Sequence, residues 1–224
     1  MSIQLEFSEK YDQAHALRYL EKHQDGLARR LSHWRDVQMA RKALRDAGEP
    51  GLVLDLPSGA GRFWPVLAEK LNRVILAADN SPAMLDVARH HQPPGLVERI
   101  HTFQTSAFAI TLGDSAVDCI FCMRLTHHIA QAEHRQAMLR EFYRVTRDTV
   151  IVSLWVDGNF KAWRRLRLET ERAMRGDLPN GNRFVIPRSV IEQEFRSAGF
   201  SILGHQDFIP GYAMWRVYTL RKRA

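Results

Sequence analysis

Asp55 and Asp79 each close a short apolar run, Leu52–Leu54 and Val74–Ala78, and Asp55-Leu56-Pro57-Ser58-Gly59-Ala60-Gly61-Arg62 follows the first run. A buried strand, a glycine turn, a helix and a second strand ended by a carboxylate form half of a nucleotide-binding βαβ unit. Glycine permits positive φ and lets a ligand approach the backbone closely, which draws attention to Gly59 and Gly61. The carboxylate of Asp79 can accept both hydroxyl protons of a ribose. Asp55 bears on the choice of ligand, because its charge at the turn repels a pyrophosphate and attracts the ammonium of an amino acid. Taken alone, the glycine pair is equally compatible with a plain tight turn.

Three further segments carry a family resemblance. Ala77-Ala78-Asp79-Asn80-Ser81-Pro82-Ala83-Met84-Leu85 is similar to a D-x-S-x-x-M-L sequence, and Thr105 to Asp118 matches in length a GDA…LPF…FD segment. Leu125-Thr126-His127-His128-Ile129 is similar to an L-H-H-I/L sequence. With these residues the chain resembles the class I S-adenosylmethionine-dependent methyltransferases over nearly its whole length. The resemblance implies an α/β fold: a doubly wound, mostly parallel seven-stranded sheet with one antiparallel strand and an N-terminal helical lid. It implies S-adenosyl-L-methionine as cofactor. Asp55 and the backbone of Gly59, Ala60 and Gly61 then hold the methionine portion, and Asp79 with Asn80 holds the ribose. Met84 packs against the adenine or ribose, and Met123 borders the cofactor after strand four. Ser106, Ala107 and Phe108 meet the adenine; Ser106 stands where the family usually places an aspartate. Arg30 and Arg35 lie near the position from which some relatives bind the cofactor carboxylate.

The implied reaction is in-line displacement at the sulfonium methyl, for which the enzyme mainly positions the acceptor and excludes water. A hydroxyl acceptor must also lose a proton, and His127 and His128 are the candidate general bases. Tyr11, Arg124, Trp155, Trp163 and Tyr212 are candidates for the acceptor pocket, with Asn159 and Trp215 beside them. Each also has a plainer reading, the aromatics as core and Arg124 as a donor to backbone carbonyls, just as Arg30 and Arg35 could form a solvated helix face.

Composition bounds the partners. The chain has 224 residues and a net charge of +7, and residues 161–224 hold thirteen Lys/Arg against six Asp/Glu, the entire excess. Such a basic quarter suits an anionic acceptor, a small molecule or a lipid or sugar, although solubility alone could account for it. A nucleic-acid substrate is less favoured, since Cys122-Met123-Arg124-Leu125 lacks the Asn/Asp-Pro-Pro-aromatic sequence of amino-directed enzymes and no Pro-Cys nucleophile occurs. A non-catalytic cofactor-binding protein is the other alternative. No apolar run reaches the roughly 18–20 residues of a membrane span and the N-terminus is polar, so a cytoplasmic protein is expected. The two cysteines, Cys119 and Cys122, fall within one apolar strand, where residues three apart face opposite sides about 10 Å apart, too far for a disulfide. No second ligand pair accompanies them, and no metal site is expected.

To position these groups the sequence must supply alternating strands and helices. Helical segments are expected from about Asp12 to Ala47, with strands at Leu52–Leu56, Val74–Ala78, Ile100–Gln104, Val117–Met123 and Val150–Trp155. Helices are expected at Gly61–Leu71, Pro82–His91 and Gln131–Val145, then a basic helical insertion Lys161–Arg175, a helix Pro187–Ala198 and a closing pair Phe200–Asp207 and Ala213–Leu220. This reads as one domain: a lid at 1–50, a cofactor core at 51–156, the insertion at 157–182 and a C-terminal helix and hairpin at 183–224.

Overall fold

A computed structural model describes residues 3, 26–176 and 182–223. Tyr11 and most of the expected lid lie outside the described residues. The first described helix, α1 (Leu27–Asp46), buries Asp36, Met39, Ala40, Ala43 and Leu44, the i, i+3, i+4, i+7, i+8 stripe of a helix lying on a sheet. Strands β1 (Leu52–Asp55), β2 (Val74–Asp79), β3 (Ile100–Gln104), β4 (Val117–Cys122) and β5 (Thr146–Val156) follow, with α2 (Trp64–Leu67), α3 (Pro82–His91), the short α4 (Pro94–Val97) and α5 (Ala132–Val145) between them. Next come α6 (Phe160–Met174), β6 (Val185–Ile186), α7 (Arg188–Ser197), β7 (Phe200–Asp207) and β8 (Trp215–Lys222).

The strands lie in the order β3-β2-β1-β4-β5-β8-β7, with β6 on β5. β1 to β5 are mutually parallel, and β8 alone runs against its neighbours β5 and β7. This is the doubly wound sheet with one antiparallel strand that the resemblance implied. The chain leaves β1 toward β2 and β3, then returns to β4 on the other side. That reversal between β1 and β4 opens a crevice at the carboxyl ends of the strands.

Alternate residues of the strands feed two separate cores. Val53, Ile75, Ala77, Cys119, Phe121 and Ile151 pack against Met39, Ala40 and Ala43 of α1 and Trp64 and Leu67 of α2. Leu54, Ile120, Cys122, Val150 and Val152 pack against Met138, Leu139 and Phe142 of α5 and Ile191 and Phe195 of α7. Cys119 and Cys122 therefore face opposite layers as free buried thiols.

Three boundaries depart from expectation for local reasons. The helix after the glycine loop spans only Trp64–Leu67; its start is delayed by the turn at Gly61, held at φ 72°, and Pro65 takes its place in the first helical turn. β5 begins four residues early, where α5 runs straight into it and Thr146 Oγ1 donates to Thr149 O at 2.8 Å. The polar Arg147-Asp148 had hidden that start. Just ahead of the helix expected at Pro187, Val185–Ile186 forms an unexpected strand, β6, on the carboxyl end of β5.

Candidate active site

A cavity of about 290 Å³ occupies the crevice, lined at one end by Ser58, Gly59, Ala60, Asp79, Asn80, Ser81 and Met84 and at the other by Arg124, His127, His128, Trp155, Arg183 and Trp215. Asp79 closes β2 and its two oxygens are both engaged, Oδ2 accepting from Gly59 N at 2.8 Å and Oδ1 from Ser81 N at 2.9 Å. Burial raises its pKa, and the backbone N–H groups of Ser81, Gly59 and Asn80 pull the other way. Each oxygen has a further lone pair with which to accept from a hydroxyl at the cavity wall. Ser81 caps α3 by accepting from Met84 N, which sets Met84 across from Gly59. Thr105, Ser106, Ala107 and Phe108 line the adjoining wall after β3. The Ser106 hydroxyl already accepts from Phe108 N at 3.2 Å, so it builds the turn as well as facing the cavity.

The two glycines differ. Gly59 has φ 54° and lines the cavity, and a Cβ there would meet only Met84 Cε at 3.9 Å. Gly61 has φ 72°, and a Cβ there would fall 2.8 Å from the ring of Trp64. Gly59 leaves its backbone bare toward the cavity, whereas Gly61 makes room for a buried indole. Asp55 lies beneath this loop, fully buried beside Ser58 and Trp64, and its carboxylate does not form part of the cavity wall. Burial raises its pKa well above the ordinary carboxylate range, and its Oδ2 has no hydrogen-bond partner among the described residues.

The opposite end is cationic and aromatic. His127 stacks on Trp155 with centroids 5.1 Å apart, meets Trp215 edge-on at 5.0 Å and lies 4.1 Å from His128. Burial, reinforced by His128, Arg183 and nearby arginines, lowers its pKa to about 2. His127 is therefore neutral and a very weak base. His128 is also shifted down by burial. Its Nδ1 lies 2.7 Å from Asn182 O, and since a carbonyl can only accept, Nδ1 carries the proton and the ring's basic lone pair resides on Nε2.

Arg124 follows β4 with φ 68°, its N–H donating to Ser153 Oγ at 2.8 Å. That backbone turns its guanidinium onto Trp215, 4.8 Å from the ring, and toward the fully buried Asp36 of α1. Asp36 Oδ2 receives both Arg124 and Arg62, each at 2.6 Å. Three distant segments thus meet at one oxygen. Neither Asp36 nor Arg62 was anticipated, although the helical spacing of Asp36 from Met39, Ala40 and Ala43 places it on the buried face. Arg183 was missed because nothing in the loop sequence around it signals a site.

Other expected residues lie elsewhere. Arg30 is exposed on α1 and does not line the cavity. Arg35 donates to the carbonyls of Asp207 and Phe208, each at 2.9 Å, tying α1 to the end of β7. Asn159 caps α6 by accepting from Ala162 N at 2.9 Å. Trp163 lines a separate groove, and Tyr212 stacks on Phe160 at 5.8 Å outside the cavity. Part of the basic run is neutralised, Arg165 pairing with Glu169 and Arg167 with Glu171.

Comparison with known proteins agrees with this architecture. Residues 53–149 match the family model described as a methyltransferase domain. An uncharacterized methyltransferase-like protein of Schizosaccharomyces pombe is 34% identical over 97 residues, covering 43% of this chain and 34% of that protein. The matched region thus spans about a third of the length of the curated relatives. Among solved structures, magnesium protoporphyrin IX methyltransferase from Synechocystis PCC 6803 with bound SAH superposes with a TM-score of 0.74 at 19% identity, covering 96% of this chain and 97% of that one. The (4+2)-cyclase SpnF superposes at 0.63 with 15% identity, covering 84% of this chain and 81% of that one. Both likenesses establish the fold. Family match and fold agree: residues 53–149 match a methyltransferase domain, set within the fold that the methyltransferase of known structure shares with this chain.

Proposed function

We propose that this chain transfers a methyl group from S-adenosylmethionine to a small anionic acceptor, at oxygen or nitrogen. The observation that carries the reading is the polarity of the cavity, with Asp79 at one end and Arg124, Arg183 and the paired histidines at the other. The residues present fit the cofactor. Asp79 would accept from the ribose hydroxyls, the bare backbone of Gly59 and Ala60 would face the methionine portion, and Met84 and Ser106–Phe108 would enclose the adenine. Asp55 would act from beneath the loop by holding Ser58 and Trp64.

When bound, the cofactor supplies an electrophilic methyl group and a neutral sulfide leaving group. The chain's own part is to bind, orient and dry the site. Arg124 and Arg183 would draw an acidic group of the acceptor to the aromatic end. Trp155, His127 and Trp215 form an apolar wall that excludes water. Where the acceptor is a hydroxyl, His128 Nε2 is the better-suited base, since its lowered pKa keeps it neutral at ordinary pH, whereas His127 is too weak.

Asp79→Asn should weaken S-adenosylmethionine binding about tenfold or more by calorimetry, because each hydrogen bond to a charged acceptor is worth roughly 1.5–3 kcal/mol. Unchanged affinity would remove Asp79 from the ribose. Transfer of a labelled methyl group to any acceptor separates the enzyme from a binding protein or from a fold put to other chemistry, as in the cyclase. A nuclease-sensitive labelled product would redirect the reading to RNA.

A further inference from the structure

Arg183 lines two spaces at once. It borders the cavity beside His127, His128 and Trp155, and it also borders a groove of about 720 Å³ between α6 and β6. The groove is walled by Phe160, Trp163, Leu166, Phe184, Val185 and Pro187. Phe160, Trp163 and Leu166 are 48%, 58% and 66% exposed, and Ala162 is the sole buried residue described in α6. A concave face that is mostly apolar, with Asp157, Arg165 and Glu169 also on its lining, marks a binding surface.

The junction is charged. Arg165 is engaged by Glu169 at 2.7 Å and donates to Arg183 O at 2.7 Å. Among the described residues Arg183 itself pairs with no carboxylate; its guanidinium lies 5.8 Å from the ring of Trp155. A cation that pairs with no described carboxylate therefore stands on the wall common to the groove and the aromatic end of the cavity.

We propose that the groove is a second compartment of the acceptor site and that the acceptor is an amphiphilic acid. Its apolar chain lies along α6 against Leu166 and Phe184, its carboxylate pairs with Arg183, and its other end enters the cavity. The inference rests on the proposed function only in taking the aromatic end of the cavity as the acceptor's. A concave slot that shares the Arg183 wall with the cavity favours a single bound molecule over a bilayer, which would need a flat exposed face.

The test uses the full chain and straight-chain fatty acids of increasing length, kept monomeric, with alkyltrimethylammonium ions of matching length as controls. Binding is followed by calorimetry and by tryptophan fluorescence, to which Trp163 contributes. One-to-one saturable binding is expected, tightening about two- to fourfold per methylene until the groove is filled. Leu166→Glu, at an exposed position, should weaken the longer acids about tenfold and leave S-adenosylmethionine affinity within about twofold. Arg183→Glu should abolish the preference for the carboxylate over the ammonium. Affinity independent of chain length, or unaltered in Leu166→Glu, overturns the proposal. Sedimentation with phosphatidylserine vesicles without saturable binding of the monomeric acids also overturns it and makes α6 a bilayer-facing helix. Loss of S-adenosylmethionine binding by the parent protein would strike the proposed function and leave the groove result standing.

Discussion

His127 shows how residue type and environment separate. In sequence it sits beside His128 with equal claim to act as a base, yet the rings around it force it neutral. With a folded pKa of about 2 against an ordinary value near 6.5, the unfolded chain takes up a proton first as pH falls. The contribution of His127 to stability is therefore whole above about pH 6.5 and declines below it by about 1.4 kcal/mol per pH unit. Asp55 and Asp79, raised by burial, act in the opposite sense, favouring the fold when protonated and losing that contribution as pH rises through their folded values. The histidine's share is isolated by His127→Phe, which keeps a packed ring without a titrating site. Between pH 7.5 and 5 the parent should lose about 2 kcal/mol that the variant retains, read as a difference in the pH slopes of denaturant unfolding. Equal slopes would mean that the ring is reached by protons in the folded state.

Among the elements, the loop between β1 and α2 divides its labour between its two glycines. Gly61→Ala would press a methyl into the ring of a fully buried Trp64 and impose a positive φ as well. Overpacking costs about 1–3 kcal/mol and the left-handed backbone about 1–2 more, so the melting temperature should drop by roughly 4–20 °C. Gly59→Ala bears the backbone cost without the clash, and its methyl projects beside Met84 at the cavity. It should lose cofactor affinity out of proportion to stability. Thermal melts and calorimetry on the two variants check this, and a Gly59 variant that melts lower than the Gly61 variant would reverse the assignment.

Sequence made the strand and helix succession legible because parallel strands buried on both faces appear as unbroken apolar runs. Of the residues that local chemistry singled out, Gly59, the carboxylate ending β2 and those after β3 and β4 line one cavity. Contacts made across the fold were illegible. Asp36 meets Arg124 over 88 positions, and Arg183 reaches Trp155 only because two residues of β6 pair with the end of β5. Trp163 and Tyr212, chosen as aromatics near the insertion, do not line the cavity: where a side chain lies beyond a turn depends on packing, which a single sequence does not reveal.

Considered as a whole, the molecule is two layers of helices sharing one sheet, and its two thiols sit one in each layer. Burial pushes the Cys119 thiol up to about 12 and drives that of Cys122 up as well, so neither ionises while the sheet is closed. A chromogenic disulfide reagent attacks only the thiolate form and needs access, so modification must await opening of the surrounding layer. The protein thus carries two internal clocks, one behind α1 and one behind α5 and α7. Single-cysteine variants, with Ala at the other position, allow each to be timed separately. Cys119 should react first, because α1 is joined to the rest partly through the Asp36 ion pairs and keeps Leu27, Leu31 and Trp34 in solvent. Identical rates at every denaturant concentration would mean instead that both layers leave the sheet in a single event.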